Sequence, residues 1–140
     1  MAIYHLEAKV VSRSAGRSAV AASAYLSCAR LYNDYDGIQH DYTKKQGLLW
    51  QEVFLPEYAP QEWKDREQLW NAVEEVETAK DSRLAREFVV ALPIELNRKE
   101  QISLLQDFIR EQFVSDGMCA DAAIHDTDGH NPHAHILLTV

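Results

Sequence analysis

The sequence closes on IHDTDGHNPHAHILLTV, residues 124–140. No other stretch constrains the fold as much. After Pro132 the residues alternate and turn strongly apolar, the pattern of a buried strand. Side chains two apart share one face of a strand. His133 and His135 therefore project to one side, and Ala134, Ile136, Leu138 and Val140 to the other. Residues 120–125 (ADAAIH) read as a second strand. The connection over 126–132 is rich in turn formers and short enough to fold the two strands into an antiparallel pair. His125 then leaves its strand at the edge where His133 enters the next.

Three imidazoles from one hairpin can converge on one metal ion. Three neutral histidines leave coordination positions open, as a catalytic site requires. A structural site more often closes with four ligands, commonly including cysteine. A lone histidine at a strand edge is ordinarily just a polar residue. His-x-His on an apolar strand, with a third histidine eight residues before its first member, favours metal binding instead. The expected ligands are His125, His133 and His135. His130 competes with His125 for the third place and ranks below it, because it sits mid-loop with less backbone support.

At 140 residues the chain is one domain with a single core. Hydrophobic residues at 46% and charged residues at 26% describe an ordinary soluble globular protein. No apolar run approaches a membrane span, and the N-terminus lacks the charged start and apolar stretch of a signal peptide. Cys28 and Cys119 suggest no disulfide framework, so the expected setting is cytoplasmic, with reduced thiols. The net charge of −8 argues against a nucleic-acid binder. Its distribution argues back: residues 1–50 carry six Lys/Arg against four Asp/Glu, while residues 51–140 carry eight against eighteen. An anion-binding surface belongs mostly in the first third.

Residues 2–11 (AIYHLEAKVV) alternate and are rich in β-formers, which predicts a strand. The loop that follows holds Ser12, Arg13, Ser14 and Arg17. Small residues, hydroxyls and two arginines entering a helix can present backbone N–H groups and guanidinium donors to phosphate. Taken alone, the same loop is more simply read as a solvated turn with a serine cap. Residues 18–31 predict an Ala-rich helix that packs closely on a sheet and carries Tyr25. Residues 32–46 are turn-rich, with Asp36-Gly37 as a hairpin tip. Residues 48–55 predict a strand stopped by Pro56, and Pro60 opens a helix running to about Ala79. On that helix Glu74 and Glu77 lie three residues apart, and such carboxylates can orient a histidine or act as a base. A solvated helix face is the plainer account of them. Residues 86–93 predict a third interior strand. Asn97 to Glu100 resembles a capping box opening the last long helix. The order is β-α-β-α-β-α-β-β. The fold class is α+β: a five-stranded, mostly antiparallel sheet with helices packed on it and the histidine hairpin central.

The N-terminal MAIYHL, the Ser-Arg-Ser loop, the Ala-rich helix with Tyr25, HDYT at 40–43, LWNAVE at 69–74, ARE at 85–87, ALP at 91–93 and NPHAH at 131–135 together resemble the MobA/MobL family of plasmid mobilisation relaxases. The resemblance covers essentially the whole chain in order. Its specific parts are the NPHAH strand and the N-terminal motif. Such enzymes fall in the wider class of His-hydrophobic-His endonucleases. The resemblance implies a site- and strand-specific nick in DNA at a plasmid's origin of transfer. Tyr25 is then the nucleophile that remains linked to the 5′ end of the cut strand. It further implies His125, His133 and His135 as metal ligands, and Glu74 or Glu77 as the residue that orients a histidine or assists the tyrosine. Lys9, Ser12, Arg13, Ser14 and Arg17 are the expected DNA contacts. The implied ion is Mg²⁺ or Mn²⁺, while ligand softness also admits Zn²⁺, Ni²⁺ or Co²⁺. Expected partners are single-stranded or partly melted DNA at the origin, relaxosome accessory proteins and a coupling protein, with no insertion into a membrane. Residues 1–140 would form the nicking domain, truncated at its C-terminus relative to the family. The competing readings are a replication initiator or transposase of the same endonuclease class, and a metal-dependent phosphoesterase with no covalent DNA intermediate.

Overall fold

The computed structural model describes residues 6–127, 129 and 131–140. His130 and the first five residues, which carry part of the N-terminal motif, lie outside the described residues.

Five strands form the main sheet: β1 (Leu6–Ser12), β4 (Leu48–Phe54), β5 (Arg83–Ala91), β6 (Ala120–His125) and β7 (His133–Leu138). Their spatial order is β1-β5-β7-β6-β4, and each neighbouring pair is antiparallel. The histidine hairpin, β6 with β7, therefore lies inside the sheet, and β7 is its middle strand. The hairpin is buried on both sides. Two apolar clusters explain why. One joins Val11, Ala85, Ala123 and Leu137 to α1 (Ala19–Ser27) and α2 (Arg66–Val76). The other joins Val90, Ala122, Ile124, Ala134 and Ile136 to α3 (Arg98–Gln112). Alanines dominate β6, and their small side chains let helices approach the sheet from both faces. The layers are thus α1 and α2, the sheet, and α3. Asn97 and Glu100 form the expected capping box at the start of α3.

Several elements differ from the sequence reading. The strand expected over 86–93 runs Arg83–Ala91. Residues 30–33 do not continue α1. The helix stops at Cys28, which takes a left-handed conformation at φ 52°, and the chain turns into a separate hairpin. That hairpin pairs β2 (Arg30–Asn33) with β3 (Ile38–Asp41), and Asp36-Gly37 sits at its tip as expected. The second helix is also shorter than the 60–79 expected. A 3-10 turn, Gln61–Lys64, precedes it, and the Asp65 carboxylate caps α2 by accepting from the Glu67 N–H at 3.0 Å.

One buried carboxylate fastens three of these elements together. Asp121, on β6, is fully buried. It accepts from Ser23 Oγ of α1 at 2.5 Å, from Trp70 Nε1 of α2 at 3.0 Å and from Arg66 Nε and Nη2 at 3.2 Å. A buried charge is tolerable only when paired and hydrogen-bonded in this way.

Candidate active site

Tyr25 sits near the end of α1, two residues beyond the Ser23 that is tied to Asp121. The start of the helix is fixed as firmly. Ser18 caps it by accepting from the Ala21 N–H at 3.1 Å, and Glu74 Oε2 accepts from Ser18 Oγ at 2.9 Å and from the Val20 N–H at 3.1 Å. Tyr25 is 48% exposed, far more than a core tyrosine would be. It packs edge-on against Tyr42, with ring centroids 5.2 Å apart. Tyr25 and His135 line one open cleft of about 520 Å³. Lys9, Arg17, Ser18, Asp36, His40, Tyr42 and Glu87 also line it.

His125 and His133 are register partners across β6 and β7, and His135 faces Ala123. Residues opposite one another in an antiparallel pair share a face. All three histidines therefore point to the side covered by α1, as the sequence pattern requires. The rings of His125 and His135 meet edge-to-face at 4.9 Å. His125 donates its Nε2–H to the Leu26 carbonyl of α1 at 2.5 Å, so its Nδ1 is an acceptor. That acceptor is engaged by the Lys45 ammonium at 3.1 Å. His133 donates its Nδ1–H to the Asn131 carbonyl at 2.8 Å, which leaves Nε2 with its lone pair. Among the described residues, no three His, Cys, Asp or Glu side chains are grouped closely enough to hold an ion in their present positions. The three histidines share a face without being drawn to one point, and Lys45 occupies one of the nitrogens a metal would use.

Electrostatics keep the inner rings neutral. Burial is the main cause holding His135 down at about 4, with the charges of His125, Lys45, His133 and Lys9 adding to it. His125 is also lowered, again chiefly by burial, with the Leu26 carbonyl opposing and Lys45 reinforcing. An unfolded histidine takes up a proton near pH 6.5, but folded His135 does not until about pH 4. Its contribution to stability is therefore complete above about pH 6.5 and is lost as the pH falls toward 4, by roughly 2–3 kcal/mol. Urea unfolding at pH 7.5 and pH 4.5 is expected to show this loss, and His135→Gln to reduce it. An equal loss in both proteins would remove His135 as its source.

Several expected site residues lie elsewhere. Arg13 is not a free phosphate ligand. Its side chain is 8% exposed and reaches the C-terminal end of α2, donating to the backbone carbonyls of Glu77 and Ala79 and, at 3.1 Å, of Glu74. It also lies over the Tyr35 ring at 3.9 Å. A guanidinium there satisfies carbonyls that the helix cannot pair itself. The Glu74 carboxylate is buried and bonded to Ser18, Val20 and Asn33, with Arg13 at 3.6 Å. It positions the tyrosine's helix rather than a histidine. At the end of α2 the Glu77 carbonyl accepts from Arg13 and its N–H donates to the Val73 carbonyl at 3.0 Å. Ser12 accepts the Arg17 N–H on its backbone carbonyl, and Ser14 is exposed in the 3-10 turn Arg13–Ala15. Lys9 and Arg17 do reach the cleft; Arg17 is 39% exposed and paired with Glu87 at 3.2 Å.

Sequence reasoning assigned no role to Tyr42, His40 or Lys45, although HDYT was among the stretches quoted for the resemblance. His40 and Asp36 stand 3.4 Å apart at the rim of the cleft. The available signal was that run of polar and basic residues directly after a hairpin tip.

A family model described as the MobA/MobL family matches residues 17–140. The conjugal transfer protein TraA of Rhizobium radiobacter is 41% identical over 151 residues, covering 100% of this chain and 14% of that protein. The probable mobilization protein MobA of Bifidobacterium longum is 43% identical over 139 residues, covering 99% of this chain and 25% of that protein. A solved structure described as "Molecular Basis of Vancomycin Resistance Transfer in Staphylococcus aureus" superposes with a TM-score of 0.91 at 40% identity, covering 99% of this chain and 70% of that one. The chain thus spans between 14% and 25% of the length of these two curated relatives.

Proposed function

The chain belongs to the MobA/MobL family, and from that premise we propose that it is the strand-nicking core of a relaxase acting at an origin of transfer. The observation that carries this reading is the exposed Tyr25 sharing one cleft with His135, a cleft that Lys9 and Arg17 also line. In the proposed step the Tyr25 hydroxyl oxygen forms a bond to the scissile phosphorus. The 3′ oxygen of the preceding nucleotide leaves with the electron pair and takes up a proton. The 5′ end of the cut strand stays on Tyr25 as a phosphodiester. One phosphodiester replaces another, so the reverse reaction rejoins the strand without ATP.

The chain's own groups suit this chemistry. The helix carrying Tyr25 is tied at its start to Glu74, at Ser23 to Asp121 and at Leu26 to His125. Such fixing holds a nucleophile near its attack geometry. Lys9 and Arg17, which line the cleft, would supply the contacts to the backbone of a single strand, the term that dominates binding of nucleic acid. In donor type the set also suits a metal ion, for which the three rings would draw together and Lys45 would leave His125 Nδ1. His125, His133 and His135 each offer an imidazole on the same face, and the Leu26 and Asn131 carbonyls fix two of the tautomers. When bound, a divalent ion polarises the phosphate oxygens and stabilises the charge that develops on them. An all-nitrogen set favours Mn²⁺ and later first-row ions over Mg²⁺, which prefers oxygen ligands. The conjugal-transfer relatives favour this reading over a replication initiator or transposase.

The test is a denaturing gel. The chain is incubated with Mn²⁺ and single-stranded oligonucleotides tiled across the transfer region of the element that encodes it. One strand of one segment is expected to give a slower band that proteinase removes, together with a released fragment ending in a 3′ hydroxyl. Cleavage without any protein-linked product would favour the phosphoesterase reading instead.

A further inference from the structure

We propose that Lys45 is a built-in competitor for the cation site: its ammonium caps His125 Nδ1 in the metal-free protein and must leave before an ion can take that nitrogen. The inference rests on the metal reading above.

Three observations carry it. His125 Nε2 is committed to the Leu26 carbonyl at 2.5 Å, so only Nδ1 remains to accept a hydrogen bond or to ligate. Lys45 Nζ stands 3.1 Å from that atom, and an ammonium has donors only. The same ammonium lies 4.6 Å from the centre of the Tyr25 ring, within cation–π range. A positive charge thus already touches both the His125 ring and the Tyr25 ring. The placement has a backbone origin. Tyr42 N–H donates to the Ala29 carbonyl just past α1, and Lys45 N–H donates to the Tyr42 carbonyl, both at 3.0 Å. The turn after β3 is therefore anchored to the end of the tyrosine's helix, and Lys45 is delivered with it.

Two costs follow for an incoming cation. It must break a charge-assisted hydrogen bond, and it must enter beside a like charge. Lys45 would therefore raise the concentration of ion needed to fill the site.

Calorimetric titration with Mn²⁺ alone, on the full chain, separates the possibilities. Lys45→Met keeps the stem and removes the charge, and Lys45 is only half-buried in a turn, so the fold should survive. It is expected to bind Mn²⁺ about tenfold or more tightly than the wild type, while Lys45→Arg, which keeps the charge, stays close to the wild-type value. Equal affinities for the wild type and Lys45→Met would overturn the competitor role and leave the metal reading standing. No binding by any of the three would overturn both. Imidazole ¹⁵N spectra of the metal-free proteins give a second readout: the His125 Nδ1 signal is expected to move in Lys45→Met, and an unmoved signal would overturn the contact itself.

Discussion

Tyr25→Phe is expected to abolish the covalent protein–DNA product and to lower nicking by on the order of 10⁴-fold or more, because it removes outright the oxygen that the proposed step uses as nucleophile. Little else should change. The ring remains, with its edge-on packing against Tyr42 and the Lys45 ammonium over its face. The ring is half-exposed, so the melting temperature is expected to stay within a few degrees of the wild type. Binding of an uncleaved single strand should persist as well, since Lys9 and Arg17 are untouched. Wild-type adduct from the phenylalanine variant would remove Tyr25 from the mechanism. The partly exposed Tyr42 in the same cleft would then be next to test.

The second large effect is on stability. Asp121→Ala deletes a fully buried carboxylate and leaves the Arg66 guanidinium, the Trp70 indole N–H and the Ser23 hydroxyl facing a gap. Breaking a buried pair by removing one partner costs about 3–5 kcal/mol, which for a domain of this size lowers the melting temperature by about 10–20 °C. Thermal or urea unfolding measures it directly, and a loss below about 1 kcal/mol would show that the network relaxes or admits water. Asp121→Asn retains one acceptor and should fall between the two. Activity should suffer beyond the stability loss, because Ser23 lies one short step from Tyr25 on the same helix.

Much of the fold was legible in the sequence because period and punctuation agreed there. The strand over 120–125, the strand that begins at His133, the turn between them and the common face of His133 and His135 follow from local pattern, and the register places His125 beside them. The capping box at Asn97 was equally local. What escaped was set by tertiary contacts. The β2–β3 hairpin has strands of four residues each, too short and too polar to show a clear alternation. Arg13 looked like a phosphate ligand because nothing local reveals that the end of α2 lies within its reach. Spacing alone does not separate Glu74 from Glu77, or a histidine's partner from a base or a solvated face, because the Glu74 contact with the Val20 N–H, 54 positions away, has no local sign. Lys45 reaches a ring 80 positions away and left no trace in any periodic pattern.

The early end of α1 has its own consequence for proton chemistry. In a helix continued through residue 30, the Leu26 carbonyl would be taken by the amide four residues on. Because the chain instead swings left-handed at Cys28, that oxygen is spare, and it is the group that claims the His125 Nε2–H. Which nitrogen of the ring carries hydrogen is thus dictated by where a neighbouring coil of backbone runs out. An insertion that let the coil run one turn further would scramble the imidazole's tautomer without altering a single side chain in the cleft.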